Sequence, residues 1–201
     1  MASSGMTAVQ ILVRARGLDP VLVSAEHALR ARLGFEGRLA RLGRGDLWAV
    51  EACEGDAASL VERLVTATGL LVNPNRHRFV WRALGETGDA ADWGSGSLAS
   101  GARSRAFILV APLEARAEEW MITPLARALG ERAVTRIERM DLWTMDLTDE
   151  EEAAGDAARD AATARSRREG LLANPHYQRA AVHTGVLPAA PLRGLIDGRV
   201  R

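Results

Sequence analysis

Lysine is absent from the 201 residues, and cysteine and tyrosine occur once each. Without lysine, Schiff-base chemistry and lysine-mediated phosphate binding are excluded. A lone Cys53 excludes an internal disulfide framework and a cysteine-rich zinc site, and fits a reducing compartment. Neither sign of charge prevails, since 26 arginines face 26 acidic residues. No overall field is left to hold a polyanion, so nucleic acid and anionic membrane are not expected partners. No run approaches about 18 apolar residues, and residues 1–7 lack a basic start followed by an apolar stretch, so the reading predicts neither a membrane span nor export and places the protein in the cytoplasm.

What is present is largely present twice. Leu47-Trp48-Ala49-Val50-Glu51-Ala52 returns as Leu142-Trp143-Thr144-Met145-Asp146-Leu147, and Leu70-Leu71-Val72-Asn73-Pro74 returns as Leu171-Leu172-Ala173-Asn174-Pro175. An apolar strand at 9–16 has its counterpart at 106–112. Ile11 to Ile108 spans 97 positions, Trp48 to Trp143 spans 95, and Asn73 to Asn174 spans 101, so the landmarks recur in order. Two copies are too few for a solenoid, which needs about three. Each half alone would leave much apolar surface wet, because a domain of about 60 residues buries only about 60% of what its unfolded chain exposes. The halves should therefore pack on each other.

The first half reads strand, helix, strand, strand, helix, strand. Asp19-Pro20 supplies a cap and a first-turn proline, and Leu22, Ala25, Leu29 and Leu33 share a helical face that ends at Gly34. Residues 38–42 and 46–53 alternate around Gly43-Arg44-Gly45, which reads as a hairpin turn. Asp56 caps a second helix with a stripe of Leu60, Val61, Leu64, Val65 and Leu71, ended by Asn73-Pro74, and 76–81 is the last strand. Residues 84–104 read as a flexible linker pinned at Trp93. The second half repeats the order at 106–112, 116–129, 133–139, 142–147, 149–172 and 176–183. Pro124 predicts a kink or restart in its first helix, and Thr148 with Glu151 predicts a capping box. Residues 184–201 read as an extended arm. The β-α-β-β-α-β order predicts an α+β fold of two ferredoxin-like units, at 1–83 and 105–183, packed sheet to sheet as an intrachain pseudo-dimer, because each would otherwise bare an apolar sheet face.

Gly17-Leu18-Asp19-Pro20, the Leu33-Gly34-Phe35 helix end, Leu42-Gly43-Arg44 and Leu70-Leu71-Val72-Asn73-Pro74 together resemble the PurS family, the small accessory subunit of phosphoribosylformylglycinamidine synthase. The second half keeps Leu129-Gly130 and the Asn174-Pro175 motif but lacks the Asp-Pro helix start. The resemblance implies a fused form of a two-chain dimer, with no catalytic, cofactor or metal site of its own. It also implies a bridge between a synthetase (PurL-type) subunit, which binds ATP and formylglycinamide ribonucleotide, and a glutaminase (PurQ-type) subunit that supplies ammonia. A homodimer carrying four such units is left open.

Among individual residues, His27, His77, His176 and His183 form no metal motif, and the seven-residue separation of the last two on a predicted strand points them to opposite faces. Cys53 is expected to pack as a small hydrophobe. Trp48 and Trp143 are expected in the core at the seam of two sheets rather than stacked on a ligand. Asp149 to Glu152 and Arg165, Arg167 and Arg168 complement the two ends of a helix dipole. Asn73, Pro74, Asn174 and Pro175 either stop helices or touch a partner. Arg78 and Arg179 follow each Asn by the same offset and are expected to mark duplicated docking surfaces. Two other functions compete: an enzyme or haem protein on a dimeric α+β barrel, which needs a polar cavity between facing sheets, and a regulatory small-molecule-binding module.

Overall fold

In the computed structural model, which describes residues 6–53, 56–66, 69–84, 93, 97–113, 119–129, 134–165 and 170–197, the chain forms one antiparallel sheet of six strands with five helices. The elements run β1 (Thr7–Ala15), α1 (Pro20–Arg32), β2 (Leu39–Ala52), α2 (Ala57–Thr66), β3 (His77–Ala83), β4 (Ser104–Pro112), α3 (Glu119–Leu129), β5 (Val134–Leu147), α4 (Glu151–Ala162), β6 (Gln178–Thr184) and α5 (Leu192–Ile196). Strand order across the sheet is β3-β1-β2-β5-β4-β6. The halves are therefore joined edge to edge in a single sheet, and the expectation of two sheets packed face to face is corrected.

The reason lies in Gly43-Arg44-Gly45. These residues do not turn; they run straight inside the 14-residue strand β2, and β5 is likewise one 14-residue strand. Each half is thus β-α-β-α-β. Opened out, β2 and β5 pair along their whole length, from Leu39 opposite Leu147 to Ala52 opposite Val134, with register shifts at both ends. Both glycines are needed there for contact rather than for turning. A Cβ on Gly43 would lie 2.3 Å from Thr144 Oγ1, and one on Gly45 would lie 2.7 Å from the Val13 carbonyl and 2.9 Å from side-chain carbons of Leu12 and Arg14.

The ladder has an approximate two-fold register centred on Asp46 opposite Asp141. Facing carboxylates repel, but each has an arginine diagonal to it: Arg139 Nη2 reaches Asp46 at 2.8 Å and Arg44 Nη2 reaches Asp141 at 3.1 Å. Those arginines also lie over the two tryptophans, Arg139 at 5.5 Å from the Trp48 ring and Arg44 at 5.6 Å from the Trp143 ring. Burial pushes the Asp141 carboxyl up, aided by Asp46 and opposed by Arg44 and Arg139. Trp48 and Trp143 are core residues as expected, but of one sheet's helical face.

The four longer helices cover that face, and they cross the seam. Ala25 and Leu29 of α1 share a core with β4, β5 and the alanines of α4, whereas Met121 and Leu125 of α3 share one with β1, β2 and α2. Neither half closes its own core. Asp19 caps α1 through Oδ1, accepting from Val21 N at 2.9 Å and Leu22 N at 3.3 Å, and Gly34 has the left-handed φ of 75° that ends it. Asp56 accepts from Ser59 N at 3.0 Å ahead of α2. The expected capping box of the fourth helix is absent: α4 starts after Glu150 with no side-chain cap, and Thr148 Oγ1 donates to the Gly37 carbonyl instead. The helix ends at Ala162 rather than 172, and Thr163 bridges to Ala173. Arg165 thus lies beyond the helix, while Arg167 and Arg168 fall outside the described residues. Pro124 sits within α3, which starts upstream at Glu119.

The opposite sheet face is not bare either. Residues expected as an extended arm fold back over it. Leu187, Ala190, Leu192, Leu195 and Ile196 bury Leu12, Leu47, Ala49, Phe107, Leu109, Met140 and Leu142. Trp93, 4% exposed, joins this cluster, with the Arg82 guanidinium 4.5 Å from its ring. Most of the 84–104 stretch otherwise lies outside the described residues. Three polar anchors hold the arm at its crossing. Arg82 donates to the Leu187 and Pro188 carbonyls at 2.8 and 2.5 Å, and Gln10 Nε2 donates to the Ala190 carbonyl at 2.6 Å. Burial lowers the Arg82 pKa to about 10, which still leaves it charged near neutrality.

Candidate functional site

The β1–β2 ladder stops at Val13 opposite Asp46, so residues 39–45 of β2 have β5 on one side and no strand on the other. β1 runs on beside β3 to Ala15 without β2, the chain then passes to α1, and the space beside residues 39–45 is a cavity of about 480 Å³. Five arginines line it, Arg14, Arg16, Arg41, Arg44 and Arg78, against one carboxylate, Asp19. Leu12, Val80 and Phe79 supply apolar wall, and Gly43 and Thr144 complete it.

The arginines differ in how they are held. Arg44 bonds Asp19 at 3.3 Å and Asp141 at 3.1 Å, and Arg16 Nε donates to the His77 carbonyl at 2.8 Å. Arg41 shares the Asp146 carboxylate, 2.7 Å away, with Arg105, whose Nε lies 2.6 Å from the other carboxylate oxygen. Asp146 also accepts the Ala99 N–H at 3.0 Å. Burial works to raise its pKa, but the Arg105 hydrogen bond, the Ala99 N–H and the charges of Arg105 and Arg41 outweigh it and hold the carboxyl below the usual range. Arg14 stands opposite Arg78 in the β1–β3 pairing. Its Nε is buried without a hydrogen-bond partner among the described residues. Burial, then the charges of Arg78, Arg105 and Arg41, pull its pKa below the ordinary arginine value, with Asp146 opposing. The charges of Arg78, Arg105 and Arg41 thus act against that of Arg14.

Sequence reasoning reached Arg78 through its repeat with Arg179, but not Arg14 or Arg41. These residues meet only once strand register is known. The paired arginines also part company: Arg179 Nη1 bonds Asp197 at 2.5 Å, just after α5, whereas Arg78 has no ion pair among the described residues.

The two Asn-Pro turns have the same construction and face solvent. Asn73 Oδ1 accepts from Asn75 N and Asn174 Oδ1 from His176 N, each at 3.0 Å, which is the Asx turn that favours Asn at such positions. The Asn73 N–H donates to His77 Nδ1 at 3.1 Å and the Asn174 N–H to Gln178 Oε1 at 2.9 Å. They lead into β3 and β6, the two edges of the sheet. Beyond the first turn, β3 exposes Phe79, Val80 and Trp81.

The remaining candidates are dispersed. His176 lies in the turn before β6, not on the strand as expected, with its ring beside Tyr177. His183 is half-buried, its Nε2 3.0 Å from the Leu195 carbonyl; burial lowers its pKa and this bond partly restores it. Cys53 is exposed, because it falls just past the last strand pair at Ala52, which corrects its expected burial. Among the described residues no three His, Cys, Asp or Glu side chains converge on a metal position, and no helix is long and apolar enough to cross a membrane. No protein-family model, curated protein or solved structure matches the chain.

Proposed function

We propose that the chain is a noncatalytic assembly subunit, a tandem pair of PurS-like units fused into one polypeptide, that holds the synthetase (PurL-type) and glutaminase (PurQ-type) subunits of phosphoribosylformylglycinamidine synthase together in purine biosynthesis. Its mechanism is geometric: it fixes two partners at a set distance and helps retain ammonia between their active sites. The observation that carries this reading is the edge strand β3, which presents Phe79, Val80 and Trp81 to solvent directly after the Asn73-Pro74 turn. An uncovered apolar edge invites a partner, and chains that remain alone blunt such edges. Support for the fused pair comes from the matching registers, with Ile11 opposite Trp48 in one half and Ile108 opposite Trp143 in the other, and from the two identical Asx turns. The ferredoxin-like unit would then be present with its central hairpin straightened, so that each half lends its long strand to the other.

The barrel-enzyme or haem alternative requires a cavity between facing sheets, and the described strands all belong to one sheet. The assembly reading is tested by measuring affinity of the chain for the synthetase subunit. Replacing Asn73, Arg78, Asn174 and Arg179 together is expected to weaken binding, and undiminished binding would refute those contacts.

A further inference from the structure

The approximate two-fold of the sheet relates the arginine-lined cavity to a second place on the molecule, and that place is filled. Register pairs Leu12 with Leu47 and Val80 in the first half, and Leu109 with Leu142 and Ala181 in the second. By the same correspondence Arg78 matches Arg179, Arg14 matches Ala111, and Gly43 matches Glu138. Over the second set lies α5. Its Arg193 meets Glu138 at 2.9 Å, its backbone meets His183, and Asp197 places a carboxylate on Arg179. Glu138 in turn bonds Arg136, the counterpart of Arg41. The second half thus supplies its own anions and its own apolar cover.

In the first half the one carboxylate of the cavity, Asp19, is engaged by Arg44, and among the described residues no counterpart of α5 lies over it. Gly43, closely packed by Thr144, stands where the second half has Glu138, so the first half lacks that carboxylate. Arg14 stands where the second half has Ala111, so a charge has been added. Two guanidiniums, Arg14 and Arg78, face one another across adjacent strands with no carboxylate between them among the described residues. The buried Nε of Arg14 is a donor with no acceptor among the described residues, which ordinarily costs stability unless something outside the chain supplies one.

We propose that this cavity is the binding site of a small organic anion, whose phosphate or carboxylate group bridges Arg14 and Arg78 while its remainder lies along Leu12, Val80 and Thr144. The counterpart position shows the chemistry the site accepts, since there the same arginine holds a carboxylate. A volume of about 480 Å³ admits a ligand rather than a lone ion. Paired guanidiniums suit a doubly charged group, because each can give two parallel N–H bonds. The proposal is independent of the assembly role.

The test is titration of the full chain with inorganic phosphate and with malonate at constant ionic strength, chloride serving as the balancing anion, read by calorimetry and by thermal melting. Saturable binding of either anion and a melting temperature that rises with its concentration are expected. Arg78→Gln, an exposed position where misfolding is not at issue, is expected to weaken binding about tenfold or more, the cost of a lost charge-assisted bond. Without anion and at low salt the same variant should melt above the parent, since it removes the repulsion on Arg14. Arg179→Gln, which disturbs the filled counterpart, should leave the affinity unchanged. Phosphate and malonate acting no differently from chloride, or Arg78→Gln binding as the parent does, would overturn the proposal.

Discussion

Replacing Asp146 by Asn removes the carboxylate that Arg41 and Arg105 share, and its cost can be worked out. The Asp146 and Arg105 side chains are 2% and 7% exposed, and they meet at 2.6 Å. Breaking a buried pair by neutralising one partner costs about 3–5 kcal/mol, chiefly because the other charge stays buried. Arg41 is half exposed, so its share of the carboxylate adds at most about 1 kcal/mol. Asparagine keeps one acceptor oxygen, which places the expected loss near the lower end, about 3 kcal/mol. Urea unfolding at low and high salt provides the assay. The loss should shrink in high salt, because Arg14, Arg41, Arg78 and Arg105 would repel one another without a carboxylate among them. The double variant Asp146→Leu with Arg105→Met should recover much of the loss. The acid limb offers a further check. The folded pKa of Asp146 lies below its unfolded value, so its contribution is complete above the usual aspartate range and disappears as pH falls through the folded value. Asp146→Asn should therefore flatten the fall in stability on acidification. A loss within about 0.5 kcal/mol at low salt, the size of an ordinary surface substitution, would refute the reasoning.

Leu195→Ala should destabilise by about 2–5 kcal/mol in a urea melt, since this side chain of the arm is fully buried against the sheet; a cost under about 1 kcal/mol would mean that the arm is not seated. The same variant should bind an apolar dye more strongly, because a five-residue helix cannot persist without its packing. Gly45→Ala should cost about 1–3 kcal/mol, because its Cβ would press on the Val13 carbonyl and on Leu12 and Arg14; an unchanged denaturation midpoint would argue for a turn there. Lowering the pH through the ordinary histidine range should loosen the arm, because burial depresses the folded pKa of His183 and protonation then favours the open form. Amide exchange across residues 187–197 would show it, and a His183→Gln variant should lose the dependence.

Local features were legible in the sequence wherever a short-range cause sets them. Asp19-Pro20 and Gly34 bound α1 because capping and left-handed geometry act over a few residues, and the Asx turns follow from Asn before Pro. Trp93 was legible as a pinned residue for a related reason: a large ring in a polar stretch needs a partner, and the core beside Arg82 provides one. Gly43-Arg44-Gly45 misled because glycine has two uses. Absence of a side chain permits a turn, but it equally permits close approach of neighbouring strands, and only the packing partners Thr144, Leu12 and Arg14 tell them apart. With that turn gone, the mode of joining the halves changed from face to edge. The arm was read from its glycines and prolines, while its Leu187, Leu192, Leu195 and Ile196 carry the contact that decides its position. The arginine-lined cavity was illegible for a different reason. Arg14, Arg41 and Arg78 sit on three strands and share no motif, so only register brings them together.

The most direct test of the assembly role is reconstitution of glutamine-dependent phosphoribosylformylglycinamidine synthesis from separately purified synthetase and glutaminase subunits, with and without this chain, together with sedimentation of the mixture. A ternary complex and glutamine-dependent turnover are expected only when the chain is present, with ammonia-dependent turnover of the synthetase little changed. Full glutamine-dependent turnover in its absence, or three components that sediment separately, would contradict it.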